Sequence, residues 1–230
     1  MTEFERELFK LEASIEIQNL MGSYSFYLDG RKYDALMDLF AKDQVDVRVE
    51  LGGVYQGRDG LERLYAGKHY DQHAGGHYPG YEGRGNVAKH PQNTPLVVVG
   101  DDLKTAKGIW ISMGFASLYR DGVQEMHWGM FRYGADFIYE NGSWKIWHLN
   151  VYSGFMADGD RSWSDPRPRP PMPPIPPKDG PEDPPFKNPF EQFPSDFPPT
   201  SDYDYRVDTS VPYVPEVPEP YDAFDMRKAN

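Results

Sequence analysis

"YENGSWKIWHLNVY", residues 139–152, is the stretch on which the reading of the fold turns. Asn141-Gly142 between two runs of alternating apolar and polar residues is the strongest short signal for a two-residue β-hairpin. Under that turn, Phe137 opposes Ile146, Ala135 opposes His148 and Tyr133 opposes Asn150. Side chains alternate faces along a strand, so His148 and Asn150, two apart, point to the same side. His127 and Phe131 belong to that face as well, while Trp128, Arg132, Asp136, Lys145 and Trp147 fall on the other, as on a surface or a subunit contact. A three-residue turn would invert the two sets. His127, Tyr133, His148 and Asn150 are more polar groups than core packing requires on one inward face, and each, if buried, needs a hydrogen-bond partner. Together they are expected to line a pocket.

Working outward, Phe4, Leu8, Leu11, Ile15, Leu20, Tyr24 and Leu28 recur at near-helical spacing and predict a long first helix ending near Asp29-Gly30. "KYDALMDLF" predicts a short second helix. "VDVRVEL" alternates Val45, Val47, Val49 and Leu51 with charged residues, and Gly52-Gly53 turns it back into "VYQG". Asp59, with Glu62 three residues on, resembles a capping box at the start of a third helix. After Lys89 come "PLVVV", "TAKGIWISMGFASLY", "VQEMHWGMFRYGADFIY" and "WKIWHLNVY", separated by turns at Gly100-Asp101-Asp102, Asp121-Gly122 and Asn141-Gly142. Helices first and long meandering strands last define an α+β domain.

Proline marks where the domain stops. Of 22 prolines, all but Pro79, Pro91 and Pro95 fall between Asp165 and Pro220, a composition that excludes helix and central strand. The folded domain is expected over residues 1–164 and a proline-rich extended arm over 165–230. Formal charge is shared evenly between the two, so it does not mark the boundary. The arm could be disordered or polyproline II, but nine aromatic residues from Phe186 to Phe224 favour one wrapped over its own domain or a neighbouring subunit.

The net charge of −12 makes nucleic acid and anionic membrane surfaces poor partners, and a small neutral or weakly acidic molecule the better one. Zero cysteines exclude disulfides, thiolate nucleophiles and Cys-ligated metal centres. No run approaches a membrane span and the charged N-terminal run is unlike a signal peptide, so a cytoplasmic location is expected.

The succession "IQNLMGSYSFYLDGRKYDALMDLF", "GVYQGRDGLERLY", "KHPQNTPLVVVGDDLKTAKGIW" and "YGADFIYENGSWKIWHLNVY" resembles the SnoaL-like branch of the nuclear transport factor 2-like superfamily over about residues 7–155. The resemblance implies a cone: a curved antiparallel sheet wrapped around a pocket and capped by three N-terminal helices, forming a dimer or trimer to which the arm would add contacts. It also implies cofactor-independent chemistry of several kinds, among them dehydration, isomerisation and the release of formaldehyde from lignin-derived diarylpropane diols, beside non-catalytic relatives. Carried over by position, the catalytic set is Asp29 at the helix end, His90 in "KHPQNTP", Asn150 on the last strand and His127 on a middle strand, with Trp110 competing for that last place. Leu28 precedes Asp29, so the phenol role falls to Tyr24 or Tyr27.

Metal-free elimination needs a base, an acid for the departing hydroxyl and donors for the developing oxyanion. Asp29 beside His90 would let one accept a proton while the other donates one. Tyr24, Tyr27, Trp110, Phe131 and Tyr133 suit a flat phenolic substrate, with His148, His73 and Arg58 as further binding residues. The expected function is a lyase on a phenolic substrate, a lignin-type dimer losing formaldehyde ranking first. A hydro-lyase or isomerase on a polycyclic substrate, and a non-catalytic binding or assembly module, are the alternatives. No cofactor is implied. His69, His73 and His77 have i, i+4, i+8 spacing suited to a metal on a helix, but Gly75-Gly76 and Pro79 break that helix and favour a lid over the pocket.

Overall fold

The computed structural model describes residues 1–50, 52–65, 87–120, 123–164, 194–199, 210 and 213–220, with backbone alone for 118–120 and 123–125. The turn at Asp121-Gly122 and the histidines 69, 73 and 77 lie outside the described residues.

Helix α1 (Glu3–Asp29) begins in a capping box: Thr2 accepts from the Glu5 N–H while the Glu5 carboxylate accepts from the Thr2 N–H. It ends at Gly30, whose N–H returns to the Phe26 carbonyl. The helix carries two apolar stripes. The sheet takes the one running through Ala13, Ile17, Met21, Tyr24 and Leu28, where the small Ala13 allows close approach. Phe4, Leu8, Leu11 and Ile15, expected on the inward run, form the other stripe and are exposed. Helix α2 (Tyr33–Met37) and α3 (Gly57–Tyr65) follow, separated by the hairpin of β1 (Asp46–Val49) and β2 (Gly53–Gln56). α3 starts two residues before Asp59, so that carboxylate sits inside the first turn, favourable against the helix dipole, and is not the cap expected of it.

The remaining strands are β3 (Val87–Lys89), β4 (Asn93–Val99), β5 (Thr105–Arg120), β6 (Val123–Glu140) and β7 (Ser143–Asp158). They form a curved, unclosed sheet in the order β2-β1-β7-β6-β5-β3, with β4 also on β5. Every pairing is antiparallel except β1 on β7, which is parallel. Among the described residues no helix is long and apolar enough to cross a membrane.

The β6–β7 hairpin forms as its turn dictates: Asn141 and Gly142 both have positive φ (52° and 81°), and Phe137 opposes Ile146. One residue further the ladder slips. Asp136 opposes His148, leaving Trp147 as an extra residue in β7, so Ala135 faces Leu149 and Tyr133 faces Val151. This β-bulge overturns the expected register. Leu149, fully buried, turns inward with Ile146, Ala135 and Phe137, whereas His148 and Asn150 turn to the outer face. Uninterrupted alternation would have sent Leu149 outward and two polar groups into the core, a cost the bulge avoids. Trp147 itself packs against His148, ring centroids 4.1 Å apart.

The arm returns to its own domain. The Val54 N–H donates to the Phe197 carbonyl, the Asp196 N–H to the Val54 carbonyl, and the Asp196 carboxylate accepts from the Gln56 N–H and from Arg63. Gly53 makes this possible, since its φ is +103° and a Cβ there would strike Ser195 Oγ and the Phe197 carbonyl. Gly53→Ala is therefore expected to cost about 1–3 kcal/mol, read as a lower urea midpoint together with faster proteolytic release of the arm. Further along, Pro215 lies against Gly134 on the outer face, 3.2 Å from where a Cβ would stand.

Tyr55 on β2 is fully buried, and burial pushes its hydroxyl up to about 12. An unfolded tyrosine ionises near 10, so the contribution is present below that pH and is lost as pH rises from about 10 towards about 12. The urea midpoint is expected to fall across that window, and less steeply in Tyr55→Phe.

Candidate active site

Asp29 is the last residue of α1, at the end of a helix whose dipole favours cations and whose last turn has no basic residue. What holds a carboxylate there comes from across the chain. The His90 backbone N–H donates to Asp29 Oδ1 at 3.1 Å, His90 Nδ1–H donates to the same oxygen at 2.9 Å, and Lys89 Nζ stands 3.6 Å from Oδ2. Ser25, one turn back on α1, donates to the His90 carbonyl at 2.7 Å. Helix end and strand entry are thus tied by four interactions, and the Asp29 side chain is 8% exposed.

The consequence for His90 is chemical. With Nδ1 carrying the proton towards Asp29, Nε2 is left as the basic nitrogen, and it has no hydrogen-bond partner among the described residues. The ring is about a third exposed, so the base is reachable.

Lys89 opposes Phe115 and Asn93 opposes Ile111 with one and the same offset, so His90 and Gln92, in the unpaired stretch between them, run alongside Gly114 and Ser112. On the next strand Gly114 opposes Gly129 and Ser112 opposes Phe131. Two glycines side by side form a floor without side chains, closely approached by backbone: a Cβ on Gly114 would stand 3.0 Å from the Lys89 carbonyl and one on Gly129 2.6 Å from the Phe155 carbonyl, with the Phe131 ring within 4 Å of both.

The other expected residues fall into three groups. Tyr24, Trp110 and Tyr133 are on the inner side but buried in the core: Tyr24 places its hydroxyl 3.0 Å from that of Tyr65 and its ring edge-on to Tyr133, and Trp110 packs edge-on to Phe137. Tyr27 and Phe131 are partly buried against that core. His127 shares the inner face of β6 with Phe131, one row beyond Gly129, and its Nδ1–H donates to Asp158 Oδ1 at 3.0 Å, a second Asp–His pair.

The third group is elsewhere. His148 donates from Nδ1 to Asp46 Oδ1 at 2.7 Å on the outer face, Arg48 closes on the other oxygen of that carboxylate, and Asn150 lies across from Arg48 and Gly134. The Trp147 bulge is the reason neither joins Asp29 and His90. Arg58 donates from Nη1 to the Met37 carbonyl at 2.6 Å, clamping α3 to α2.

Sequence reasoning passed over Ser25, Lys89, Gln92 and Ser112. A polar run "KHPQN" entering an apolar strand was the available signal for two of them. Ser25 and Ser112 look in sequence like any small residue of a helix or strand.

A curved, unclosed sheet capped by N-terminal helices is the architecture expected of the nuclear transport factor 2-like class. The SnoaL-like domain model matches residues 10–150, and the chain belongs to that family. No curated protein matches the chain. Among solved structures it is similar to a type 2 hexachlorocyclohexane dehydrochlorinase (16% identity, 66% of this chain and 92% of that one, TM-score 0.52). It is also similar to a putative scytalone dehydratase from Novosphingobium aromaticivorans (17%, 69% and 93%, TM-score 0.51). A third is a type 3 hexachlorocyclohexane dehydrochlorinase from Novosphingobium barchaimii (15%, 67% and 94%, TM-score 0.50). At such identities the likeness is one of fold.

Proposed function

We propose that this chain is a cofactor-independent lyase in which His90, oriented by Asp29, moves protons to and from a hydroxylated aromatic substrate lying over the Gly114–Gly129 floor. The observation that carries it is the 2.9 Å Asp29–His90 contact with Nε2 left open. Nε2 takes a proton from the substrate, Asp29 stabilises the imidazolium, and the imidazolium returns the proton to the departing hydroxyl, which leaves as water. The names of the similar structures, dehydrochlorinase and dehydratase, describe eliminations and support this class.

The particular substrate we propose is a phenolic diarylpropane diol. Loss of the benzylic hydroxyl together with the proton of the phenol para to it, as water, gives a quinone methide. Deprotonation of the terminal hydroxyl then breaks the carbon–carbon bond, releasing formaldehyde, and the bond's electron pair restores the aromatic ring as a phenolate, which regains that proton and leaves a stilbene. The sum is diol to stilbene, water and formaldehyde, with no oxidant or reductant. Assembly as a dimer or trimer belongs to the same reading, supported by exposed Ile111, Met113 and Phe115 in a row on the outer face of β5.

The test is a panel of such diols incubated with purified protein without added metal or nucleotide, following stilbene absorbance and trapping formaldehyde. Stilbene and formaldehyde in equal amounts are expected. Water loss without formaldehyde would replace this reading with a hydro-lyase, and a panel with no turnover would defeat it.

A further inference from the structure

Two buried polar atoms near the Asp29–His90 pair have no hydrogen-bond partner among the described residues: Ser112 Oγ and Gln92 Oε1. Ser112 is fully buried on the inner face of β5, and Gln92 lies in the unpaired stretch whose flanking pairs, Lys89–Phe115 and Asn93–Ile111, bring it alongside Ser112. In a regular ladder Cβ atoms so placed stand about 5 Å apart, close enough for one small group to bridge the two side chains. The amide is oriented by its neighbour, for Nε2 donates to the His90 carbonyl at 3.3 Å, a bond only the nitrogen can make, and Oε1 is left to accept. An orphaned buried polar atom is costly, and natural proteins keep few of them. Here two occur in one row, one row along the strands from His90.

We infer that Ser112 and Gln92 form a subsite for a non-reacting hydroxyl of the substrate, the phenol of the ring that does not become the quinone methide, which donates to Gln92 Oε1 and accepts from the Ser112 hydroxyl. The complementarity is selective. A carbonyl, ether or halogen could meet Ser112 but would leave Oε1 facing a second acceptor, whereas a hydroxyl satisfies both. Its position suits a phenol as well. Residues two apart on a strand are separated by about 6.6 Å, close to the span from a phenol oxygen to the carbon attached at the para position. A ring anchored at Ser112 and Gln92 would therefore lie along the strands beside Phe131, with its para substituent over the glycine floor and under His90 Nε2. This assignment rests on the proposed lyase reading for which end of the ring reacts, but the hydroxyl preference itself does not.

Equilibrium binding of 4-propylphenol and 4-propyltoluene, ligands of matched shape, measured by NMR titration, separates the two. Wild-type protein is expected to prefer the phenol by about tenfold or more. Ser112→Ala and Gln92→Leu should each bring the ratio towards one, with affinity for 4-propyltoluene unchanged. His90→Ala should keep the preference, so a failed lyase reading leaves this result intact. Without ligand, Ser112→Ala should melt at or above the wild-type temperature, because it removes an unsatisfied group. The inference is overturned by no preference in the wild type, which includes no binding of the phenol up to its solubility limit and a fixed water filling the subsite. It is overturned equally by a preference that survives both substitutions, or by a Tm several degrees lower in Ser112→Ala.

Discussion

His90→Ala is expected to lower kcat on the diol substrate by about 10²–10⁴-fold, the range that loss of a positioned general base and acid produces, with the melting temperature within a few degrees of wild type. The ring is part-exposed at the edge of the sheet, and the tie between helix end and strand is kept by the backbone N–H of residue 90 on Asp29 and by Ser25 on its carbonyl. Asp29→Asn should reach a similar loss by another route. An amide in that position no longer fixes the proton on Nδ1 nor stabilises the imidazolium, so the ring spends its time in the wrong tautomer. The split between constants distinguishes this from a folding defect: kcat falls while KM stays within a fewfold, since neither change removes the aromatic walls or the glycine floor. Steady-state kinetics with stilbene absorbance as the readout checks both. Wild-type kcat in either variant would move the chemistry away from this pair.

Deletion of Trp147 is expected to cost much of the stability while leaving the register intact. The turn at Asn141-Gly142 fixes the start of β7, and with the bulge residue gone His148 still opposes Asp136 and Leu149 still opposes Ala135, so the faces beyond Ile146 are unchanged and the ladder becomes regular. What is lost is a fully buried indole and its contact with His148, at roughly 3–5 kcal/mol. Against the whole stability of an ordinary domain, about 5–15 kcal/mol, that is a large share. Trp147→Phe keeps the extra residue and should melt cooperatively with a smaller loss. The check is circular dichroism across a thermal ramp. Complete absence of a cooperative transition in the deletion variant would show that the faces of β7 depend on the extra residue itself and not on the turn.

The contrast between these two experiments tracks what sequence could and could not reveal. The hairpin was legible because Asn141-Gly142 has almost one conformational solution, and the ladder obeys it as far as Phe137–Ile146. The bulge was not legible. Ile146-Trp147-His148-Leu149 has no glycine and no break in polarity, and only the competition between Leu149 and His148 for the interior decides which way the chain turns. For the same reason the inward set His127, Tyr133, His148 and Asn150 was half right: the first two lie on the inner face, the last two on the outer. In α1 the period was plain but two apolar stripes shared it, and packing around Ala13, not hydrophobicity, selects between them. Asp29 and His90, 61 positions apart, were brought together only by family resemblance, since no local pattern links a helix end to a strand entry. Ser112 and Gln92 were silent because their significance lies in what they lack, and a missing partner is visible only in three dimensions.

The protonation state of His90 is the most direct test of the central claim. ¹⁵N spectra of the histidine side chains, taken with the rings in their neutral form, should show Nδ1 of His90 protonated and Nε2 bare, with the Nε2 signal moving when 4-propylphenol is added and the Nδ1 proton exchanging faster with solvent in Asp29→Asn. A protonated Nε2 in the free protein, or a His90 signal indifferent both to ligand and to the Asp29 substitution, would contradict a base poised by that carboxylate over a bound aromatic ring.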